Sequence, residues 1–309
     1  MPLVLHLAPY CTLYGWSLEP LIDALRRLIA ELEVEHPDGV RLRLEALDRL
    51  DAYHLNGESS EPFAEGGEGE IYRQAKALYS KLERINFDLY EAIRNEIRRG
   101  AGQDVLGRLV ADAGRGLGAA GGVNAESYDY LDELISGVLR LQYPEGRRFE
   151  LDAEMVRYQP TPARHILEMI IRVGFCEQDV LVDFGSGLGH VPLMTGIFTG
   201  ARSIGIELEG AYVDCARQCA EALKLSQVTF IEQDAREADL RSGTVFYLYT
   251  PFRGTVLRAV LDALRREAAS RQIRVCTFGP CTATVAGEPW LQRDRVLEGN
   301  GVAVFCSRC

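Results

Sequence analysis

No stretch of the 309-residue chain approaches the roughly 18 apolar residues of a membrane span, so no membrane partner is expected. The apolar opening has no basic flank, and Pro9 interrupts it too early for a secretory signal. The expected location is cytoplasmic. Lysine and arginine clusters are also missing: the formal net charge is -11, and residues 1–150 alone carry 26 acidic against 17 basic side chains. Phosphate backbones attract such clusters, so the charge pattern argues against nucleic acid as a partner. Eight cysteines are too dispersed for a disulfide framework. Cys276, Cys281, Cys306 and Cys309 imitate a four-thiolate site, but on neighbouring antiparallel strands Cys281 and Cys309 would fall at opposite ends of the sheet. No metal is expected. The chain lacks Gly-x-Ser-x-Gly, a Walker lysine motif and His-Glu-x-x-His, which removes the common hydrolases, P-loop NTPases and zinc proteases.

What is present fits two globular domains, divided near residue 150. At 47% hydrophobic and 26% charged residues the composition is that of an ordinary folded protein. Residues 1–150 are helical in period. Ile71, Ala75, Leu78, Leu82, Ile85, Leu89, Ile93 and Ile97 advance by three or four, giving one apolar stripe on a long helix that ends near Gly100. Shorter stripes occupy 18–32, 41–55, 103–113 and 127–141. The acidic stretch Asn56–Glu70 and the glycine-bearing stretch Gly100–Gly122 read as loops or hinges. An all-helical domain of this kind either selects substrate or serves packing and oligomerisation.

Residues 151–309 change texture. Asp179–Phe184, Ser203–Glu207, Val228–Glu232, Thr244–Tyr249 and Ile273–Phe278 are short apolar runs separated by mostly helical segments. That alternation predicts a parallel sheet covered on both faces. Trp290–Leu297, the turn Glu298–Gly301 and Val302–Cys306 then read as a closing hairpin.

The first strand runs into Asp183-Phe-Gly185-Ser186-Gly187-Leu-Gly189-His190. Three glycines let the backbone approach a ligand closely and present helix N-terminal N–H groups to a carboxylate. A dinucleotide fingerprint needs glycine or alanine at position 190, where histidine stands, and Asp183 would face a pyrophosphate unfavourably. Asp183 suits an ammonium instead. Glu207, 24 residues on, ends the second strand where a carboxylate can take both hydroxyls of a ribose, with Leu208 beside it. Asp234 and Ala235 follow the third strand, placed for an adenine amino group and a ring nitrogen. Ligands of open α/β sheets bind at these carboxyl ends.

Ahead of the first strand, Tyr158-Gln-Pro160-Thr161-Pro162 is a stiff two-proline loop. Thr161 is expected to cap the helix that follows, with Pro162 as its first residue, and the loop to close over the cofactor. His190 reads as the start of a helix, or as a base. Residues 155–255 resemble class I S-adenosylmethionine-dependent methyltransferases, and Asp183–Val191 with Ile204–Glu207 is similar to their non-SET histone-lysine branch. The resemblance implies a Rossmann-like α/β sheet of seven strands, mostly parallel with the last antiparallel, beside the N-terminal all-helical domain. It implies S-adenosyl-L-methionine as cofactor and a small-molecule or protein methyl acceptor. The branch's asparagine-bearing segment is replaced by Tyr249-Thr250-Pro251-Phe252, which also departs from the Asn-Pro-Pro-aromatic motif of base-amino methyltransferases. Tyr249 and Tyr158 are therefore the candidates for lining the acceptor, with Phe252 as a wall, and Thr250 joins the cofactor set. Two other readings stay open at this point: a non-catalytic cofactor- or partner-binding module, and a nicotinamide-dependent oxidoreductase.

Overall fold

The computed structural model describes residues 39–51, 67–114, 128–144, 153–294 and 301–308, together with Asp23 and Arg27. The chain divides into two compact units, Met1–Ala92 and Ile93–Cys309.

In the first unit, α1 spans Val40–Asp51 and α2 begins at Gly67, running on to Arg98. The apolar stripe of α2 is in place, with Ala75 and Leu82 fully buried, but Tyr72, Tyr79 and Asn86 share the buried face. Asn86 is there for Arg43 of α1, whose buried Nε donates to Asn86 Oδ1 at 2.8 Å. A buried guanidinium without such an acceptor would be strongly destabilising. The expected loop Asn56–Glu70 is corrected at its end: helix starts at Gly67, and residues 52–66 lie outside the described set. The predicted helix 18–32 also lies outside it except for Asp23 and Arg27, both helical.

The second unit opens with the end of α2, then α3 (Gly102–Gly114) and α4 (Tyr130–Leu139). The glycine-rich loop expected over Gly100–Gly122 is thus overturned from 102 to 114, while the apolar stripe at 103–113 is the helix it suggested. The reason is close packing rather than a turn: a Cβ on Gly102 would sit 2.9 Å from Ile197 and from Ile97. Gly100, at φ +83°, follows the end of α2. Residues 115–127 are not described.

Then come α5 (Ala163–Val173), β1 (Val180–Phe184), α6 (His190–Thr199), β2 (Arg202–Glu207), α7 (Gly210–Ala222) and β3 (Val228–Glu232). These are followed by β4 (Val245–Leu248), α8 (Gly254–Ala268), β5 (Arg274–Thr277), α9 (Cys281–Ala286), β6 (Leu291–Arg293) and β7 (Ala303–Ser307). The strands form one seven-stranded sheet in the order β3-β2-β1-β4-β5-β7-β6. The first five are mutually parallel, and β7 lies antiparallel between β5 and β6. This is the Rossmann-like methyltransferase sheet expected from the sequence. Every residue of β1 and β4 is buried, as in a central strand covered on both faces.

At the amino ends of the strands a buried ionic cluster fixes the register. Asp179 accepts from Arg274 Nη2 at 2.5 Å, from Thr244 Oγ1 at 2.8 Å and from the Cys176 N–H at 2.9 Å. Burial opposes its charge, yet Arg274 and the other donors hold its carboxyl down at about 2. Its stabilisation is therefore complete above the ordinary carboxylate range and lost as pH falls toward about 2. Thr244→Val, which also removes the acceptor for the Val180 N–H, should cost about 1–2 kcal/mol at neutral pH. Urea titrations at pH 7 and at about pH 2 would check this, since the cost should shrink as Asp179 is protonated.

Candidate active site

The carboxyl ends of β1, β2, β3 and β4 converge on a cavity of about 710 Å³. Tyr158, Thr161, Asp183, Gly185, Ser186, Glu207, Leu208, Asp234, Ala235, Tyr249 and Thr250 all line it, as does His190. Gly187 and Gly189 do not; they shape its floor from behind.

The glycine turn is fully committed to the protein. Gly185 and Ser186 donate to Ile206 O, Gly187 to Glu207 Oε2 at 2.8 Å, and Gly189 to Ser186 O. The Leu188 N–H bonds to the Tyr158 hydroxyl. The N–H groups of the turn itself are thus directed at the protein. Positive φ at Gly185 (+70°), Gly187 (+52°) and Gly189 (+87°) makes the turn possible. The space matters as much, because a Cβ on Gly187 would fall 1.9 Å from the Tyr158 ring. Ser186 Oγ is buried without a hydrogen-bond partner among the described residues.

Asp183, the penultimate residue of β1, is only 3% exposed, and no hydrogen bond to its carboxyl exists among the described residues. Burial, then the nearby Glu207 charge, push its carboxyl well above the usual carboxylate range. Glu207 is the opposite case. Its Oε1 accepts from the Leu208 and Glu209 N–H groups at 2.8 and 2.9 Å, and its Oε2 from Gly187. Three of roughly four lone-pair directions are taken, which leaves one for a ligand hydroxyl rather than a pair. Leu208, 53% exposed, presents an apolar surface beside it. Asp234 lines the cavity, but both its oxygens are forked by Arg236, which shares the short 3₁₀ turn Ala235–Glu237. The Ala235 N–H has no partner among the described residues.

The segment before β1 is clamped across the site. Val156 donates to Pro251 O and Arg253 to Glu154 O around a bridge between Met155 and Phe252. The Glu154 carboxylate caps α8 through Thr255 and Val256. The two-proline loop lines the cavity from Tyr158 to Thr161, but its cap does not follow: α5 begins at Ala163 after Pro162, with no cap from Thr161. Ala163 N donates instead to Asp132 of α4 at 2.7 Å, which frees Thr161 Oγ1 to bond the Tyr247 hydroxyl at 3.1 Å.

Tyr158 also bonds His190 Nδ1 at 3.1 Å. Burial drives His190 down to about 4, so it starts α6 as a neutral partner of Tyr158. The Tyr158 ring packs on Tyr212 at 5.2 Å and Tyr143 at 5.9 Å. Sequence reasoning misses both of these; the signal for Tyr212 is its place as the aromatic in the first turn after the Glu207 strand. Tyr249 stands half-buried against Phe278, ring centres 4.8 Å apart. Thr250 Oγ1 is spent on Phe278 O and the Cys281 N–H, joining the loops after β4 and β5. Of the four cysteines weighed as thiolate ligands, Cys309 lies outside the described residues. Among the described residues, no three His, Cys, Asp or Glu side chains are grouped to hold a metal. No described helix is long and apolar enough to cross a membrane.

No protein-family model and no curated protein matches the chain. Among solved structures, an RNA methyltransferase from Salinibacter ruber in complex with S-adenosyl-L-homocysteine is similar at 27% identity, with TM-score 0.40. The match covers 48% of this chain and 92% of that one. A precorrin-6y C5,15-methyltransferase from Geobacter metallireducens GS-15 is similar at 17% identity over 50% of this chain and 92% of that one, TM-score 0.39. A SAM-dependent methyltransferase from Aquifex aeolicus is similar at 15% identity over 46% and 88%, TM-score 0.39.

Proposed function

We propose that the protein is an S-adenosylmethionine-dependent methyltransferase acting on a small-molecule or protein acceptor. The observation that carries this is Asp183, a buried carboxyl without a hydrogen-bond partner among the described residues at the end of β1, facing a cavity whose next strand ends in Glu207. A buried acid of this kind is costly unless a cation meets it. The cofactor's ammonium does so, and the orphan hydroxyl of Ser186 is a donor for the adjoining carboxylate. The last open lone pair of Glu207 takes a ribose hydroxyl. Leu208 would offer the adenine an apolar surface, and the Ala235 N–H would serve a ring nitrogen. Asp234 acts here by fixing the 3₁₀ turn through Arg236, not by touching the base.

The bound cofactor supplies an already activated sulfonium methyl. What the chain must add is alignment of a nucleophile about 3 Å away and exclusion of water. Tyr249, Phe252 and Tyr158 form the acceptor side, and the clamped 154–157 segment keeps solvent out. His190 holds the Tyr158 hydroxyl. The helical residues before 151 serve substrate selection or interaction in this reading.

S-adenosylhomocysteine at about a hundred times its Kd should stabilise the folded protein by about 2.7 kcal/mol, a rise of a few degrees in Tm. NAD should leave Tm unchanged. A rise with NAD and none with S-adenosylhomocysteine in differential scanning fluorimetry would refute the proposal.

A further inference from the structure

A second cavity of about 380 Å³ adjoins the first and shares Thr250, Phe252, Arg253 and Pro280 with it. It lies between the N-terminal turns of α8 and α9, beyond the ends of β4 and β5. Its floor is apolar and closed: Leu261 is fully buried, Phe252 is 2% exposed, and Leu257 and Cys281 are buried too. The size falls within the range of small-molecule pockets.

Its polar groups are nearly all engaged. Thr250 Oγ1 bonds Phe278 O and Cys281 N. Arg258 is neutralised by Glu288 at 2.5 Å and Asp262 at 2.9 Å. Arg253, on the lip common to both cavities, has no ion pair and no side-chain hydrogen bond among the described residues. No aspartate or glutamate lines this cavity. With Arg258 already matched by Glu288 and Asp262, Arg253 is the guanidinium on this lining that a ligand charge would meet. A guanidinium fork matches a carboxylate or phosphate.

We infer that this second cavity is the acceptor subsite and that the acceptor is a small molecule with an apolar body and an anionic group. The apolar body rests on Phe252, Leu257 and Leu261, and the carboxylate or phosphate pairs with Arg253. The inference rests on the methyl-transfer reading for its meaning, though not for its binding chemistry. Because Arg253 also borders the cofactor cavity, the anionic group sits at the junction of the two cavities.

The test is calorimetric, on the full chain saturated with S-adenosylhomocysteine. The probes are 2-naphthoate, 2-naphthyl phosphate, 2-naphthamide and 2-naphthylmethylamine, which share an apolar body and differ in charge. At least one anionic probe should bind about tenfold or more tighter than the amide, with the amine weakest. Whichever anion binds better separates a carboxylate from a phosphate acceptor. Arg253→Gln should remove the anion's advantage, and Arg253→Lys should restore part of it. Thr284→Trp, which fills the cavity from its exposed edge, should weaken all four probes. Equal binding of amine and anion, or an anion preference that survives Arg253→Gln in a protein with an unaltered melting transition, overturns the inference. Failure of S-adenosylhomocysteine to bind the wild-type protein would instead refute the methyl-transfer reading, and the probe series would still decide the anion site.

Discussion

Glu207→Ala is expected to lower stability by about 2–4 kcal/mol and to weaken S-adenosylhomocysteine by roughly a hundredfold. The sequence alone assigns Glu207 to a ribose and gives it little structural work. The structure gives it three backbone N–H donors from two separate segments: Leu208 and Glu209 on its own side, and Gly187 across the cleft. Alanine leaves all three without an acceptor, and Gly187 sits in a turn whose other N–H groups are already committed. The turn must then relax, and the Tyr158 ring lying on Gly187 relaxes with it. Glu207→Gln separates the two effects. Its amide oxygen can still accept from two donors, so most of the stability should return while the ribose contact is only partly restored. Chemical denaturation and calorimetry on both variants measure this. An alanine variant with wild-type stability and weakened binding would make Glu207 a ligand contact alone.

How much of this is legible in the sequence depends on how locally each feature is specified. The five parallel strands are readable because a strand buried on both faces must be a short apolar run between helices; β3 spans Val228–Glu232, the limits the sequence suggests. The two antiparallel strands that close the sheet are readable from their apolar runs, β6 covering Leu291–Arg293 of the expected Trp290–Leu297, while residues 295–300, with most of the expected turn, lie outside the described set. The carboxyl-end placement of Asp183, Glu207, Asp234 and Tyr249 follows from strand direction alone, and all four line one cavity.

What escapes are side-chain bonds whose partners are set by tertiary geometry or by a compact turn. Arg236, two residues after Asp234, folds back onto it only because the chain makes a 3₁₀ turn there. Thr161 looks like a cap in sequence, but Asp132, thirty-one residues away, reaches the helix N-terminus first. Gly102 looks like a loop residue and is a contact residue, since a glycine in a helix and a glycine in a hinge are the same letter. The buried pair of Arg43 and Asn86 is illegible for the same reason: each alone reads as a solvated residue, and only their contact explains the burial.

Asp183→Asn should abolish most cofactor affinity, by roughly two to three orders of magnitude, while leaving the ligand-free protein as stable as wild type or more so. The two halves of this expectation have one cause. Without a ligand the carboxyl is buried and close to Glu207, so it holds its proton well above the usual carboxylate range. Asparagine is close in shape to that neutral acid. For a carboxyl whose folded pKa is raised, the folded state binds the proton more tightly than the unfolded chain does. Wild-type stability is therefore favoured below the ordinary carboxylate pKa and declines as pH rises from there to the raised value. The asparagine variant has no such decline, so the stability difference in its favour should widen over that window and then level off. The bound state reverses the preference, because an ammonium needs the anion, and loss of a buried charge partner costs roughly 2–5 kcal/mol. Cofactor binding must then release a proton from Asp183 at any pH below the raised value. Affinity should climb with pH by up to about tenfold per unit and flatten once Asp183 ionises unaided. Calorimetry in buffers of different ionisation enthalpy counts the released proton directly. A wild-type affinity that is flat with pH, with no buffer-dependent heat, would mean that Asp183 meets no cation; equal loss of stability in the asparagine variant at pH 5 and pH 8 would make it a structural residue instead.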